Sequence, residues 1–358
     1  MATSKKLRAI YDGFFEGLET SCANLISNIT EYSRLKKYCK TKPTKEYKKK
    51  VGDFWKKYKS ISPLWGWYYA SQNGIEDPRY IPNTMYYAKI DQHFNNRKLG
   101  CGFNDKNYYS RIFYGINQPK TLVRNVNGIL LDENYKLITT QQALDIVLQE
   151  KEVVCKPSLE TGSGRNVCFW KTNSQEEIIK SFIKGEEKNY IIQGVIEQHP
   201  KLKEIHKDSI NTLRIVSLLM KDGVYILSSN LRMGTGSSRV DNVTGGGISC
   251  GVNSDGSLKD YATDYYTGEK FYQHPQGTIF KNLTVPSYNK AIELVIQAHS
   301  IIPHFRLVSW DIAIDIDGEP LLIEANMRKG GINLNQFNNG PLFGDMTECV
   351  LDEVFGKK

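Results

Sequence analysis

Apolar positions between Leu7 and Tyr38 recur at mixed three- and four-residue spacing, with few breakers before Pro43, which predicts helix. Residues 44–59 continue the period: Tyr47, Val51, Phe54, Trp55 and Tyr58 mark one face and lysines the other, as in an amphipathic helix with a basic outer surface. The run from Pro63 to Tyr69 is largely aromatic and reads as a packing plug between domains, since large aromatic side chains are usually buried. Residues 75–150 break into short runs at Asp77-Pro78 and Asn127-Gly128, with a strand at Gly128–Leu131 and a helix at Gln141–Gln149 behind Thr139 or Thr140.

Beyond residue 150 the alternation sharpens. Strands are expected at Val153–Lys156, Val167–Trp170 and Tyr190–Gln193, with a helix over Ser174–Lys184 that has Ser174 and Glu177 spaced as a capping box. Asn211–Met220 and Val224–Arg232 form a hairpin across Lys221-Asp222-Gly223, Pro286–Ile302 a helix, Leu307–Ile316 and Glu319–Asn326 a second hairpin, and Asp345–Phe355 a closing helix. The pattern predicts an α+β chain divided into a helical extension 1–70, a small domain 71–150, and segments 151–200 and 201–358.

The chemistry concentrates in the last hairpin. With Asp317-Gly318 as a two-residue turn, Ile316 faces Glu319 and Asp311 faces Glu324. Alternation then sets Ile312, Ile314 and Ile316 with Ile323 and Ala325 on one face, and Asp311, Glu324 and Asn326 on the other. Carboxylates directly opposed across a hairpin lie about 5 Å apart at Cβ and repel, so a cation between them is expected. An all-oxygen set with two anionic members suits Mg2+, which takes one or two carboxylates and then substrate phosphates. The competing reading is a strand face with independently solvated carboxylates.

Three further stretches carry candidate chemistry. Lys156 ends a buried strand beside the glycine loop Glu160–Arg165; a lysine and close-approaching backbone amides suit a nucleotide phosphate, although no Walker sequence follows. Gln193–Glu197 is a strand running into a linker with apolar residues on both sides, able to offer backbone groups to an adenine edge and Glu197 to ribose hydroxyls. Arg214, Arg232 and the glycine-rich stretch through Asp241-Asn242 and Gly245–Gly247 supply guanidinium forks for phosphate and glycines for close approach or movement. Singly, each also suits a surface turn, a strand end or a surface arginine.

Charge alters the picture at one end only. The chain of 358 residues carries +8, yet residues 1–60 hold 15 Lys and Arg against 6 Asp and Glu, leaving the remainder close to neutral. Such a segment suits an anionic membrane surface or an acidic polymer, or is simply a solvated helix face. No nucleic-acid reading motif accompanies it, and no nucleic-acid partner is expected. The seven cysteines form no Cys-x-x-Cys pair, which argues against a disulfide framework or zinc site and for a reducing compartment. The N-terminus lacks a secretory pattern and no apolar run reaches about 18 residues, so a cytoplasmic protein is expected, with peripheral membrane contact through residues 1–70 as a further expectation.

Taken in order, Lys156-Pro157 with its glycine loop, the 193–197 linker, Asn211-Thr-Leu-Arg214, Leu231-Arg232-Met-Gly234, Asp241-Asn242 with its glycines, and Asp311 followed by Glu324-Ala-Asn326 resemble the ATP-grasp superfamily, over about residues 75–350. They are most similar to its sugar-transfer-associated branch, related to teichuronopeptide synthesis. The resemblance implies an ATP-grasp fold, two α+β subdomains clasping ATP: a preceding domain at 71–150, a subdomain with the glycine loop at 151–200, and one with the metal site at 201–358. It implies that Lys156 holds the α- and β-phosphates under Gly162, Ser163 and Gly164. Gly194, Val195 and Ile196 would contact adenine through their backbone beside Gln193, where many relatives carry Glu. Glu197, or alternatively His199, would meet the ribose. Arg214 and Arg232, with Asn242, would act on the phosphate or acyl phosphate, and Asp311, Glu324 and Asn326 would hold Mg2+. A second nucleotide cation would come from Lys120 or Arg124.

The implied reaction is ATP-dependent ligation of a carboxylate to an amine or amino acid through an acyl phosphate, with a glycan among the candidate carboxylates. A kinase of the same fold and a non-catalytic glycan-binding protein are the alternatives. Nothing in the resemblance accounts for residues 1–70.

Overall fold

The computed structural model describes residues 29, 31–33, 35–39, 41–159, 166–328 and 330–356. Most of the helix expected over 7–38, and the glycine-loop residues Gly162, Ser163 and Gly164, lie outside the described residues. No helix among the described residues is long and apolar enough to cross a membrane. The chain forms two compact units, residues 1–93 with 340–358, and residues 94–339.

In the first unit a helix spans Lys45–Trp55 and starts where Thr44 Oγ1 accepts the Tyr47 N–H at 3.1 Å. Tyr47, Val51 and Trp55 face inward, while Lys45, Lys48, Lys49 and Lys50 are exposed. Each buried polar tip finds a carbonyl: Trp55 Nε1 donates to Pro78 O at 2.8 Å and Tyr47 OH to Asp77 O at 3.1 Å. The aromatic run becomes the helix Leu64–Asn73, ended by Gly74 in the left-handed region at φ 81°. Trp65, Trp67, Tyr68 and Tyr69 are buried, and Tyr69 stacks on Tyr80 with centroids 5.3 Å apart. The aromatic run belongs to the core of this unit, and the exposed face of the helix Lys45–Trp55 carries Lys45, Lys48, Lys49 and Lys50. The closing helix Thr347–Phe355 belongs here too: Lys57 pairs with Glu348, Tyr58 OH donates to Asp352 at 2.8 Å, and Arg79 Nη1 reaches Asp345 at 2.8 Å.

The second unit is built on two antiparallel sheets. The first contains β1 (Thr121–Val126), β2 (Ile129–Leu131), β3 (Glu152–Pro157), β4 (Cys168–Lys171) and β5 (Tyr190–Gly194) in the order β2-β1-β5-β3-β4. Helices Thr140–Leu148 and Glu176–Lys184 cover it, burying Leu144, Val147, Ile179 and Ile183 against Val123, Val153 and Ile192. Thr139 and Gln142 form the capping box of the first helix. Ser174 does not cap the second, which begins after Gln175; Gln175 instead accepts the Lys171 N–H at 2.8 Å and turns the chain back. Because β1 pairs with β5, a sheet spans the boundary expected at residue 150.

The second sheet contains β6 (Thr212–Met220), β7 (Gly223–Met233), β8 (Ile248–Val252), β9 (Leu258–Asp264), β10 (Lys270–Phe271), β11 (Leu307–Ile314) and β12 (Pro320–Asn326), ordered β10-β9-β8-β7-β6-β11-β12. The helix Tyr288–Ile301 packs on it through Ala291, Val295 and Ala298, against a core that includes Trp310, Ile312 and Leu322. Strand β11, between β6 and the edge strand β12, is buried along its whole length, so its one carboxylate, Asp311, has to be neutralised inside the fold.

Candidate active site

Asp311 lies directly opposite Glu324, but two offsetting irregularities produce that register. The turn holds three residues, Ile316-Asp317-Gly318: Asp315 Oδ1 accepts the N–H groups of Asp317 and Glu319, and Gly318 takes φ 80°. The extra residue brings Ile314 opposite Pro320. A bulge between Asp311 and Ile312 then restores the pairing. Ile323, expected on the core face, is the residue left unpaired, and it lines a cavity next to Glu324 while Leu322 and Ala325 fill the core. Ile316, expected with the core isoleucines, is exposed at the turn.

Each of the opposed carboxylates is paired with side-chain cations. Arg214, opposite Asp311 on β6, grips it through Nε and through Nη2 at 2.9 Å, and Arg232 Nη1 adds a contact at 3.0 Å. Arg232 also pairs with Asp241 at 3.3 Å, and Lys106 Nζ donates to Glu324 at 2.7 Å. Burial alone would raise the Asp311 carboxyl; Arg214 and then Arg232 hold it below the ordinary value. Asp241 is pushed up by burial, with Arg232 opposing. Lys156 is pushed down to about 8, first by desolvation and then by repulsion from Lys106.

These residues surround a cavity of about 210 Å³ between the two sheets. Lys106, Lys156, Arg232, Asp241, Asn242, Asp311 and Glu324 line it together with Gln193, Gly194, Val195 and Ile196. Gln193 Nε2 is committed to Thr121 Oγ1 at 3.2 Å, and its Oε1 is buried without a partner. Asn242 Oδ1 caps the turn Val243–Gly245. A wider cleft of about 940 Å³ shares the wall Gly194–Ile196 and adds Glu197 and Lys120.

Other expected residues sit elsewhere. Lys120 is largely exposed and paired with Glu150 at 2.6 Å, outside the inner cavity. Arg124 is buried beneath the Tyr135 ring at 4.2 Å and donates to Asn107 O at 2.8 Å, so it braces β1. His199 caps the turn Pro200–Lys203 through the Lys201 N–H. Arg214 reaches Asp311 from outside the cavity lining and also holds Gly330 O at 3.1 Å. Lys106, Arg239 and Asp241 complete the site; the sequence marked Asp241 as part of the Asp241-Asn242 motif without giving it a role, and it gave none to Lys106. Arg239 bridges the sheets, pairing with Glu152 at 2.6 Å and lying 4.0 Å over the Phe169 ring. Lys106 was hidden because it sits in the turn Lys106–Tyr108, 218 positions from its partner; the cap Asp105-Lys-Asn107 is visible in the sequence, its destination is not.

The donor set fits Mg2+. Asp311, Glu324 and Asn326 can offer oxygen ligands; the two carboxylates line the cavity, while Asn326 lies outside its lining with Nδ2 buried and without a hydrogen-bond partner. Against Asp241, Asp311 and Glu324 in the lining stand Lys106, Lys156, Arg232 and Arg239. That surplus of positive charge favours an anionic, phosphate-bearing occupant accompanying the metal.

Two antiparallel α+β layers enclosing a basic, carboxylate-floored cavity are the layout of an ATP-grasp protein. Within that superfamily the chain belongs to the sugar-transfer associated ATP-grasp family, which it matches over residues 86–349. Solved structures it resembles include an L-amino acid ligase from Bacillus licheniformis, at 15% identity and TM-score 0.40 over 72% of this chain and 48% of that one. The biotin carboxylase domain of Hydrogenobacter thermophilus 2-oxoglutarate carboxylase, solved with MgADP, ADP and bicarbonate, matches at 11% identity and TM-score 0.43, over 71% and 46%. A D-Ala:D-Ser ligase from Enterococcus faecalis matches at 14% and 0.41, over 71% and 61%. The chain thus spans less than two thirds of the length of each of these proteins. No curated protein sequence matches it.

Proposed function

We propose that this chain is an ATP-dependent, ADP-forming ligase that joins a carboxylate to an amine through an acyl phosphate. The observation that supports this most is the convergence of Lys106, Lys156 and Arg232 on the Asp311–Glu324 pair, in a cavity walled by the Gly194–Ile196 linker. A substrate carboxylate oxygen attacks the γ-phosphorus of ATP, and the bond to ADP breaks. The amine then attacks the acyl carbon, phosphate departs and the amine proton is released. Lys156 and Lys106 bind phosphate oxygens, and Arg232 offsets charge on the transferring phosphoryl group. Asp311, Glu324 and Asn326 would hold Mg2+, which would supply further charge neutralisation at the phosphates. No nucleophilic side chain is needed.

The family's association with sugar transfer supports a sugar carboxylate, or a related carboxylate of a surface polysaccharide, with an amino acid or simple amine as the second substrate. A cytoplasmic site of action follows from the same reading. The test is ADP release against pooled amino acids and uronic-acid glycans, followed by mass analysis of the product. An amide supports the ligase, a phosphoester without amide replaces it with a kinase, and absence of nucleotide binding removes both.

A further inference from the structure

The stretch between β7 and β8, residues 234–247, carries Arg239, Asp241 and Asn242 to the cavity, yet its root is fastened by residues from elsewhere in the chain. His274, which follows β10, places Nε2 2.8 Å from Gly234 O. His206, which follows the turn Pro200–Lys203, places Nε2 3.1 Å from Gly236 O. Both rings are fully buried and their centroids lie 5.3 Å apart. Neither contacts the carboxylate pair, and the ligation reading uses neither.

Hydrogen-bond chemistry assigns the protons. A carbonyl oxygen only accepts, so each Nε2 must carry the hydrogen. Each Nδ1 in turn accepts a backbone N–H, from Ser209 for His206 and from Gln276 for His274, both at 3.2 Å. Ser209 Oγ also lies 2.9 Å from His206 Nδ1, and the backbone contacts of both rings suit the Nε2–H tautomer. Burial lowers the His274 ring further from the charged form. The packing leaves no slack at this root: a Cβ on Gly234 would lie 2.6 Å from Ser209 Oγ and 3.2 Å from His206 Cε1.

His206 also ties in the opposite wall. Its carbonyl accepts Gln198 Nε2 at 2.9 Å and Asn211 Nδ2 at 3.0 Å, and Gln198 directly follows the linker that lines both cavities. One residue thus holds the glycine-rich loop with its side chain and the linker with its backbone.

We infer that His206 and His274 are positioning residues: as paired Nε2–H donors they hold the Gly234 and Gly236 carbonyls, and so set Arg239, Asp241 and Asn242 at the cavity. The consequence for nucleotide affinity rests on the ligase reading above; the bracing of the loop does not. The experiment compares His206→Leu and His274→Leu with His206→Gln and His274→Gln, since the glutamine amide can replace the Nε2 donor and leucine cannot. Amide hydrogen exchange in 234–247 should rise about tenfold in each leucine variant, as for loss of one buried hydrogen bond, and return close to wild type in the glutamine variants. Affinity for a non-hydrolysable ATP analogue should follow the same order. Unchanged exchange in folded leucine variants, or glutamine variants as loose as leucine ones, overturns the inference. Should the leucine variants fail to fold, 15N NMR of the unmodified protein decides: both rings should show the Nε2–H tautomer, and a Nδ1–H tautomer at either refutes the brace. Loop protection without nucleotide binding would retain the brace and sink the ligase reading alone.

Discussion

Lys156 provides the sharpest test of the cavity, because its environment disfavours the charge that a phosphate needs. With its ammonium pushed down to about 8, it is about nine-tenths charged at pH 7, half charged at pH 8 and one-tenth charged at pH 9. A bound nucleotide favours the charged form and raises that value. Binding must then draw in about half a proton at pH 8 and about 0.9 at pH 9, and affinity should fall about tenfold per pH unit above 8. Titration calorimetry with a non-hydrolysable ATP analogue, in buffers of differing ionisation enthalpy, reads the proton number directly as a slope. Lys156→Met should abolish the slope and weaken binding at pH 7 by about 1.5–3 kcal/mol, the range of a charge-assisted hydrogen bond. The sign for stability is opposite. The folded value lies below the unfolded one, so near neutral pH the buried charge costs stability, and stability rises with pH between about 8 and 10.5 as the unfolded chain alone keeps the proton. Lys156→Met should therefore melt higher than wild type at pH 7 without nucleotide. A slope of zero at pH 8–9 in wild type, or the same slope in Lys156→Met, refutes the placement of phosphate at this lysine.

Three further outcomes follow from particular contacts. Asp311→Asn and Glu324→Gln should each abolish ATP turnover, but Asp311→Asn also strands Arg214 and Arg232 and should cost on the order of 3–5 kcal/mol in urea unfolding, whereas Glu324→Gln should unfold near wild type; near-normal turnover in Glu324→Gln would remove the pair from catalysis. His299, buried between Ser217 Oγ and Phe305 O, is held down to about 4 by burial, so between its unfolded and folded values the unfolded chain binds the extra proton and stability drops as pH falls; wild type should lose about 2 kcal/mol more than His299→Gln between pH 7.5 and 5, and equal losses count against it. Lys45, Lys48 and Lys49 changed together to Glu should weaken low-salt binding to acidic polysaccharide or anionic vesicles, an attraction that fades as the Debye length shrinks from about 10 Å at 0.1 M to 3 Å at 1 M; no binding by wild type at low salt ends the recruitment idea.

The opposed carboxylates were legible because strand alternation is short-range and survives a turn misjudged by one residue when a bulge absorbs the difference. That cancellation was not legible: the turn is set by the Asp315 side chain, and the bulge by what Ile323 and Glu324 face in the folded site. Opposed carboxylates announce a need for positive charge, but not that Arg214, Arg232 and Lys106 supply part of it from three other elements; no local pattern announces such convergence. Arg124 shows the converse, a basic residue in a plausible position whose partners are a tyrosine ring and backbone carbonyls. Strand β8 was not legible because its serine and glycine resemble a loop until the neighbouring strands supply the ladder.

The chain leaves its first unit at residue 93 and returns to it at residue 340, which imposes an order on its birth. At ribosomal rates of about 5–20 residues per second, the N-terminal helices emerge roughly 12–50 s before the segment bearing Asp345, Glu348 and Asp352. Through that interval Arg79, Lys57 and Tyr58 lack those partners, and the aromatic face around Trp55 has yet to receive the closing helix. The two-sheet unit, residues 94–339, is a continuous stretch of chain that emerges before residue 340. A polypeptide cut short before residue 340 would thus carry a first unit in which Arg79, Lys57 and Tyr58 never meet Asp345, Glu348 and Asp352.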